Sequence, residues 1–200
     1  MRLDAAGTFQ PFHTRQAAFA EVYQKKDLDA VKHIADSQLE ILADLDAFLG
    51  LRRNFTLARW INQSHALGEN EAEKRYFDKN ARTLITVWGN LYGDCSSLYD
   101  YAWREWNGLI KEYYAMRWEK FYTQAIDALE NGKDFPQAKP TDTVWDRPRF
   151  DATAFGRELF QFEKHWCETY SEYDEPQNRD VTDTAQALYE KYCTNETISF

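Results

Sequence analysis

Glu163, His165 and Cys167 bring a carboxylate, an imidazole and a thiol within five positions of one another. On a helix each residue turns about 100° from the last. Glu163 and His165 therefore face different sides, and Cys167 has no local signature of cysteine–histidine catalysis. The four histidines, His13, His33, His65 and His165, fall on different elements. None sits in the Glu-x-x-His pattern that builds a carboxylate-rich metal site in a helical bundle. Cys95, Cys167 and Cys193 are odd in number and far apart, with no C-x-x-C, so they make neither a zinc site nor a disulfide framework. No nucleophile elbow, phosphate-binding loop or dinucleotide fingerprint occurs. Glu71 with Glu73, and Asp44 with Asp46, read as solvated faces of an acidic helical protein rather than as acid/base pairs. The expectation is no catalytic residue, no metal and no cofactor in this chain.

The elements that carry these residues read as helices. A first covers about 14–25 and a second 28–49, whose Leu28, Val31, Ile34, Ile41, Leu42, Leu45, Phe48 and Leu49 form an apolar side before Gly50. A third covers about 57–67 and ends at Gly68. A fourth opens with Asn70 and Glu73 in a capping-box arrangement and runs to about Trp88, with Gly89 as its stop. A sixth runs from a cap at Asp151 to about Tyr173, and a last one is capped at Asp180. The stretch 133–149, with Pro136, Pro140 and Pro148, is the longest irregular one. No alternating strand pattern and no fixed repeat appears. The fold expected is all-α, a bundle of six or seven helices in a single domain over 1–200.

Between the fourth and sixth helices, Tyr99 to Phe121 holds eight aromatic residues. Tyr99, Trp103, Trp106, Ile110, Tyr113, Arg117 and Phe121 step by three or four and share a helix face, while Tyr101, Tyr114, Trp118 and Tyr122 load a second. A helix apolar on two faces is expected at the centre of a bundle. The spacing predicts one helix from a cap at Ser97 to Glu130, about 45 Å long, with Trp103, Tyr114 and Trp118 largely buried. Gly108, in its middle, costs about 1 kcal/mol relative to Ala and would mark the close approach of another helix.

Net charge is −9, and the 24 Lys and Arg are scattered without a basic stripe, which argues against nucleic-acid binding. No apolar run approaches the length of a membrane span. MRLDAAGTFQPF lacks the apolar region of a signal peptide, so the chain reads as cytosolic or as a piece of a longer exported protein. Asn54, Asn62 and Asn195 begin N-x-S/T sequons, meaningful only in a eukaryotic secretory source. Aromatics make up 16% of the residues, which suits either a ring-rich core or exposed stacking platforms.

Two segments carry a family resemblance. One is Leu57-Ala58-Arg59-Trp60, then Glu71-Ala72-Glu73, Tyr76, Asn80-Ala81-Arg82 and Thr86-Val87-Trp88-Gly89. The other is Asp100-Tyr101-Ala102, Gly108-Leu109, Tyr113-Tyr114, Arg117-Trp118 and Phe121. In this order and spacing they resemble the C-terminal helical region of the alpha-N-acetylglucosaminidases, family eighty-nine of the glycoside hydrolases, over about 28–192. The loop 89–97, with Cys95, looks longer than the family's, and the tail after Tyr192 differs.

The resemblance implies a larger, exported parent protein (periplasmic or extracellular in bacteria, lysosomal in animals). That parent would be an exo-acting, retaining hydrolase of terminal alpha-linked N-acetylglucosamine in glycans. Its nucleophile and acid/base glutamates would sit about 5 Å apart on a (β/α)8 barrel. The chain itself has no alternating strand–helix pattern, and no family catalytic glutamate maps onto it. The partners implied are the catalytic barrel of the same chain and the parent's glycan substrate. The motif residues Trp60, Asn80, Arg82, Trp88, Tyr101, Tyr114, Arg117 and Trp118 are expected to be structural or to face the barrel. Arg117 would make an ion pair or a cation–π contact, and Asn80 and Arg82 would bond to the loop beyond Trp88. An apolar patch of several hundred Å², lined by aromatics of the first half of the chain and the loop near Tyr92, is expected on the side that meets the barrel. The alternatives are a free-standing carbohydrate- or protein-binding module that uses exposed aromatics, or a helical enzyme of another kind.

Overall fold

The computed structural model describes residues 10–88, 91, 102, 104–135, 143–144, 147–148 and 153–194. Seven α-helices occur among the described residues: α1 (Gln10–Gln24), α2 (Leu28–Leu49), α3 (Leu57–His65), α4 (Glu71–Ile85), α5 (Met116–Glu130), α6 (Ala154–Glu168) and α7 (Thr182–Tyr189). The only sheet described is an antiparallel pair of two-residue strands, β1 (Thr143–Val144) and β2 (Arg147–Pro148). The fold is all-α, as the absence of alternating apolar runs predicts. The chain divides into two compact units: Met1–Thr56, Glu105–Lys133 and Pro176–Phe200 form the first, and Leu57–Arg104 with Asp134–Glu175 form the second.

In the first unit α2 packs against α1, α5 and α7. Its buried residues Val31, Ile34, Ala35, Gln38, Ile41, Leu42 and Asp46 recur at helical spacing, so one continuous face is enclosed. Asp27 caps its start by accepting the Ala30 N–H at 3.1 Å. Gln38, fully buried, donates from Nε2 to the Phe12 carbonyl and holds α1 on this face. Phe12, Ile41, Leu42, Ile110 and Tyr192 form the buried centre, with Tyr114 and Trp118 partly buried around it.

The aromatic stretch departs from expectation. Ser97 lies outside the described residues, but no single helix runs from there to Glu130. Residues 104–106 lack helical structure, Asn107 pairs with Thr56 in an isolated bridge, and Gly108 stands at φ 85°. Helical turns start only beyond it, as a π-helical stretch Ile110–Ala115 that runs on into α5. Gly108 is thus the break at the helix start, where a left-handed φ requires it, and not a glycine in mid-helix. The reason lies in α2. Asp46, read from sequence as solvated, is buried. Its Oδ1 accepts the backbone N–H groups of Gly108 at 2.7 Å and Lys111 at 3.0 Å, and its Oδ2 accepts Asn107 Nδ2 at 2.8 Å. A carboxylate from another helix satisfies the free N–H groups of this helix start. Burial raises the Asp46 carboxyl above its usual range, opposed by these hydrogen bonds.

Of the rings expected to be buried, Tyr114 and Trp118 are only half-buried, and Trp103 lies outside the described residues. Tyr113 and Tyr122 hold the enclosed positions. Trp118 packs edge-on against Phe12, with centroids 5.2 Å apart, and stacks on Tyr122 at 5.7 Å. Asp44, the other supposed solvated acid of α2, accepts from Lys191 Nζ at 2.7 Å and from the Tyr192 hydroxyl at 2.6 Å.

In the second unit α4 packs against α3 and α6. Asn70 caps α4 as read, accepting the Glu73 N–H at 3.0 Å, but Glu73 reaches back to the N–H of Glu69, one residue before the cap, at 2.8 Å. α6 is capped by Thr153 rather than Asp151, through the Gly156 N–H at 2.9 Å, and ends at Glu168, five residues before the expected Tyr173. The helix end expected at Trp88 comes at Ile85, and Thr86 Oγ1 donates back to the Arg82 carbonyl at 2.8 Å.

Candidate functional site

Among the described residues of the second unit, a dense polar arrangement is centred on Arg82. Asp78 and Arg82 stand four apart on α4, a spacing that places them on one face. Both are 1% exposed. Arg82 Nε donates to Asp78 Oδ1 at 2.5 Å, and its terminal nitrogen donates to the Tyr173 hydroxyl at 3.1 Å. The guanidinium lies over the Trp166 ring, 4.7 Å from the centroid. Burial alone would disfavour the charged guanidinium, but Tyr173 and Asp78 outweigh it and its proton is held more tightly than usual.

The second oxygen of Asp78 lies 2.7 Å from His65 Nε2. His65 stacks on Tyr170 with centroids 4.9 Å apart, and the Arg75 guanidinium lies over the Tyr170 ring, 4.5 Å from its centroid. α3 and α4 and the stretch after α6 are therefore tied through one carboxylate. Asn62 adds a bond from Nδ2 to the Tyr173 carbonyl at 2.9 Å, which occupies the acceptor nitrogen of the middle sequon.

A histidine–aspartate contact of this length is also the orienting half of a catalytic triad. Here the carboxylate is shared with a buried guanidinium, and that makes the arrangement a brace. The neighbouring thiol does not complete a site. Cys167 is buried beside Thr86, with Oγ1 and Sγ 3.3 Å apart, and burial pushes it up to about 11, against the pull of the threonine hydroxyls. Such a thiol is a poor nucleophile. Among the described residues, no group of three or more His, Cys, Asp or Glu side chains is placed to hold a metal. No described helix is long and apolar enough to cross a membrane.

The motif residues separate into several environments. Trp60 of α3 donates from Nε1 to the Ala81 carbonyl at 3.0 Å. Arg82 is the brace just described and bonds to Asp78 and Tyr173. Asn80 is exposed on α4. Trp88 is 40% exposed, and its N–H reaches the Thr83 carbonyl at 2.8 Å. At φ 54° it takes the left-handed position that the sequence assigns to Gly89, a conformation costing about 1–2 kcal/mol for a residue with a side chain. In the first unit Arg117 lies over the Tyr113 ring at 5.2 Å, and Tyr114 meets Tyr113 edge-on at 5.4 Å. Trp118 belongs to the ring cluster around Phe12. Tyr101 and Tyr92 lie outside the described residues.

Sequence reasoning did not single out Asp78, His65, Tyr170 or Tyr173. The i, i+4 pair Asp78–Arg82 was visible, but such pairs are common on exposed faces, and the Trp166 and Tyr173 contacts to Arg82 come from 84 and 91 positions away. Among the described residues of the second unit, the exposed large apolar side chains are Leu67, Tyr76, Leu84 and Trp88.

Three comparisons bear on the assignment. Residues 8–191 match the family described as Alpha-N-acetylglucosaminidase (NAGLU) C-terminal domain. The chain is 28% identical over 153 residues to human Alpha-N-acetylglucosaminidase, an alignment that covers 76% of this chain and 18% of that protein. It superposes with a TM-score of 0.72 and 23% identity on a family 89 glycoside hydrolase from Clostridium perfringens in complex with 2-acetamido-1,2-dideoxynojirmycin, covering 94% of this chain and 20% of that one. A structure of the Clostridium perfringens protein with its substrate GlcNAc-alpha-1,4-galactose gives a TM-score of 0.71 at 23% identity, over 93% of this chain and 20% of that one. The chain thus spans about a fifth of the length of these relatives.

Proposed function

Because the chain belongs to the alpha-N-acetylglucosaminidase C-terminal domain family, we propose that it is the non-catalytic helical domain of an exo-acting, retaining alpha-N-acetylglucosaminidase. In this reading the domain packs on the catalytic barrel of the same protein. The barrel supplies both glutamates and removes terminal alpha-linked N-acetylglucosamine from glycans.

The observation that carries the reading is the match itself. It takes in nearly the whole chain, yet the chain corresponds to only 18% of the human relative. The interior chemistry supports it. The Arg82 centre is a brace, Cys167 is a suppressed nucleophile, and Asp46 is spent on a helix start, so these buried groups serve the chain's own shape.

The test is incubation of the purified 200-residue chain with an aryl alpha-N-acetylglucosaminide. No turnover is expected. Turnover abolished by substituting a glutamate of this chain would overturn the non-catalytic assignment.

A further inference from the structure

Seven of the fifteen residues of α4 are charged: Glu71, Glu73, Lys74, Arg75, Asp78, Lys79 and Arg82. Each is engaged within the second unit. Lys74 pairs with Glu71 at 2.8 Å and Lys79 with Glu168 at 3.0 Å. Glu73 accepts the Glu69 N–H, Arg75 covers Tyr170, and Asp78 holds Arg82. The exposed residues of α4 that carry no charge are Ala72, Tyr76, Asn80 and Leu84. They stand four apart, all exposed and all uncharged, with Tyr76 63% and Leu84 47% open. Residues at this spacing form a continuous ridge of the kind that packs into a groove of another element. From Ala72 to Leu84 the ridge is about 18 Å long.

We infer that this α4 ridge is the surface on which the catalytic domain of the same chain docks. The inference rests on the function proposed above and adds which face meets the partner. Depletion of charge with an aromatic at the centre is the composition of an interface core, and an acidic, strongly charged surface does not produce it by default. The size of the ridge selects the occupant. A stable complex of separate chains buries about 800 Å² on each partner, more than one helix row supplies. A tethered domain needs less, because the linker raises its effective concentration. The relatives carry about four-fifths of their length outside this region, which is the source of such a domain.

Hydroxyl-radical footprinting of the 200-residue chain alone and of the full-length glycosidase that contains it tests this. Tyr76 and Leu84 should oxidise about fivefold or more slowly in the full-length protein, as side chains moved into a water-excluding interface do. Protection elsewhere on the domain, with Tyr76 and Leu84 equally reactive in both, would overturn the α4 assignment and leave the domain reading standing. Protection nowhere would overturn both. Protection already present in the isolated chain and lost on dilution would make a second copy the occupant and overturn the inference. Tyr76→Glu provides a second readout. It should lower the melting temperature of the full-length protein and leave that of the isolated chain unchanged. An equal fall in both would show that Tyr76 acts inside its own unit, against the proposal.

Discussion

Asp46 Oδ1 lies 2.7 Å from the backbone nitrogen of Gly108, 62 positions along the chain. This contact decides where the aromatic helix begins. A helix start left without partners exposes N–H groups that need an acceptor, and here the acceptor comes from α2.

Asp46→Ala should therefore destabilise the first unit by about 1–3 kcal/mol, the cost of leaving buried donors unsatisfied. Urea unfolding measures this, and hydrogen exchange at Gly108 and Lys111 should accelerate. The pH dependence has a definite sign. The folded state holds the Asp46 proton more tightly than the unfolded chain does. This group's contribution to stability is therefore greatest below the usual carboxylate range and falls as pH rises through the raised value. Asp46→Asn should remove that slope. An unchanged slope would show that the carboxyl is not buried.

Arg82→Met should cost about 3–5 kcal/mol, because it leaves the Asp78 carboxylate enclosed beside apolar neighbours. Adding Asp78→Asn to the same protein should recover part of the loss, since the buried charge goes while one acceptor for His65 remains. Thermal unfolding of the single and double variants checks this. A double variant less stable than the single would contradict it.

Trp118→Ala should cost about 2–3 kcal/mol, less than a fully enclosed ring, because the indole is half-buried. Tyr122→Ala, at a buried position, should cost more. Urea denaturation of the two variants gives the order, and a reversed order would place Trp118 inside the core.

Cys167 should resist alkylation in the native protein and react only on unfolding, since its thiol is buried and pushed up to about 11. Cys193 is exposed and should react directly. Site-resolved mass spectrometry after a short iodoacetamide treatment distinguishes them. Early labelling of Cys167 would mean that α6 opens readily from α4.

Much of the helical layout was legible because its signals are local. α2 begins and ends at Leu28 and Leu49 as its apolar spacing says, and Asn70 caps α4 as written. The aromatic stretch misled for a physical reason. Rings at three- and four-residue spacing continue through Gly108, but a left-handed φ and an acceptor from α2 override the periodicity. The Arg82 brace was half visible in the Asp78–Arg82 spacing. Its burial depends on Tyr173 and Trp166, which no local pattern connects to α4. The acids of α2 reversed the usual expectation, since Asp46 is buried and Asp44 is bonded to Lys191 and Tyr192.

The most direct test of the domain assignment is the activity of the full-length protein on an aryl alpha-N-acetylglucosaminide, with and without these 200 residues, with the released sugar followed by NMR. The expected result is hydrolysis by the full-length protein with the alpha anomer appearing first, no hydrolysis by the 200-residue chain alone, and loss of activity or stability when the domain is removed. A full-length protein inactive on terminal alpha-linked N-acetylglucosamine, or a 200-residue chain that hydrolyses it unaided, would contradict it.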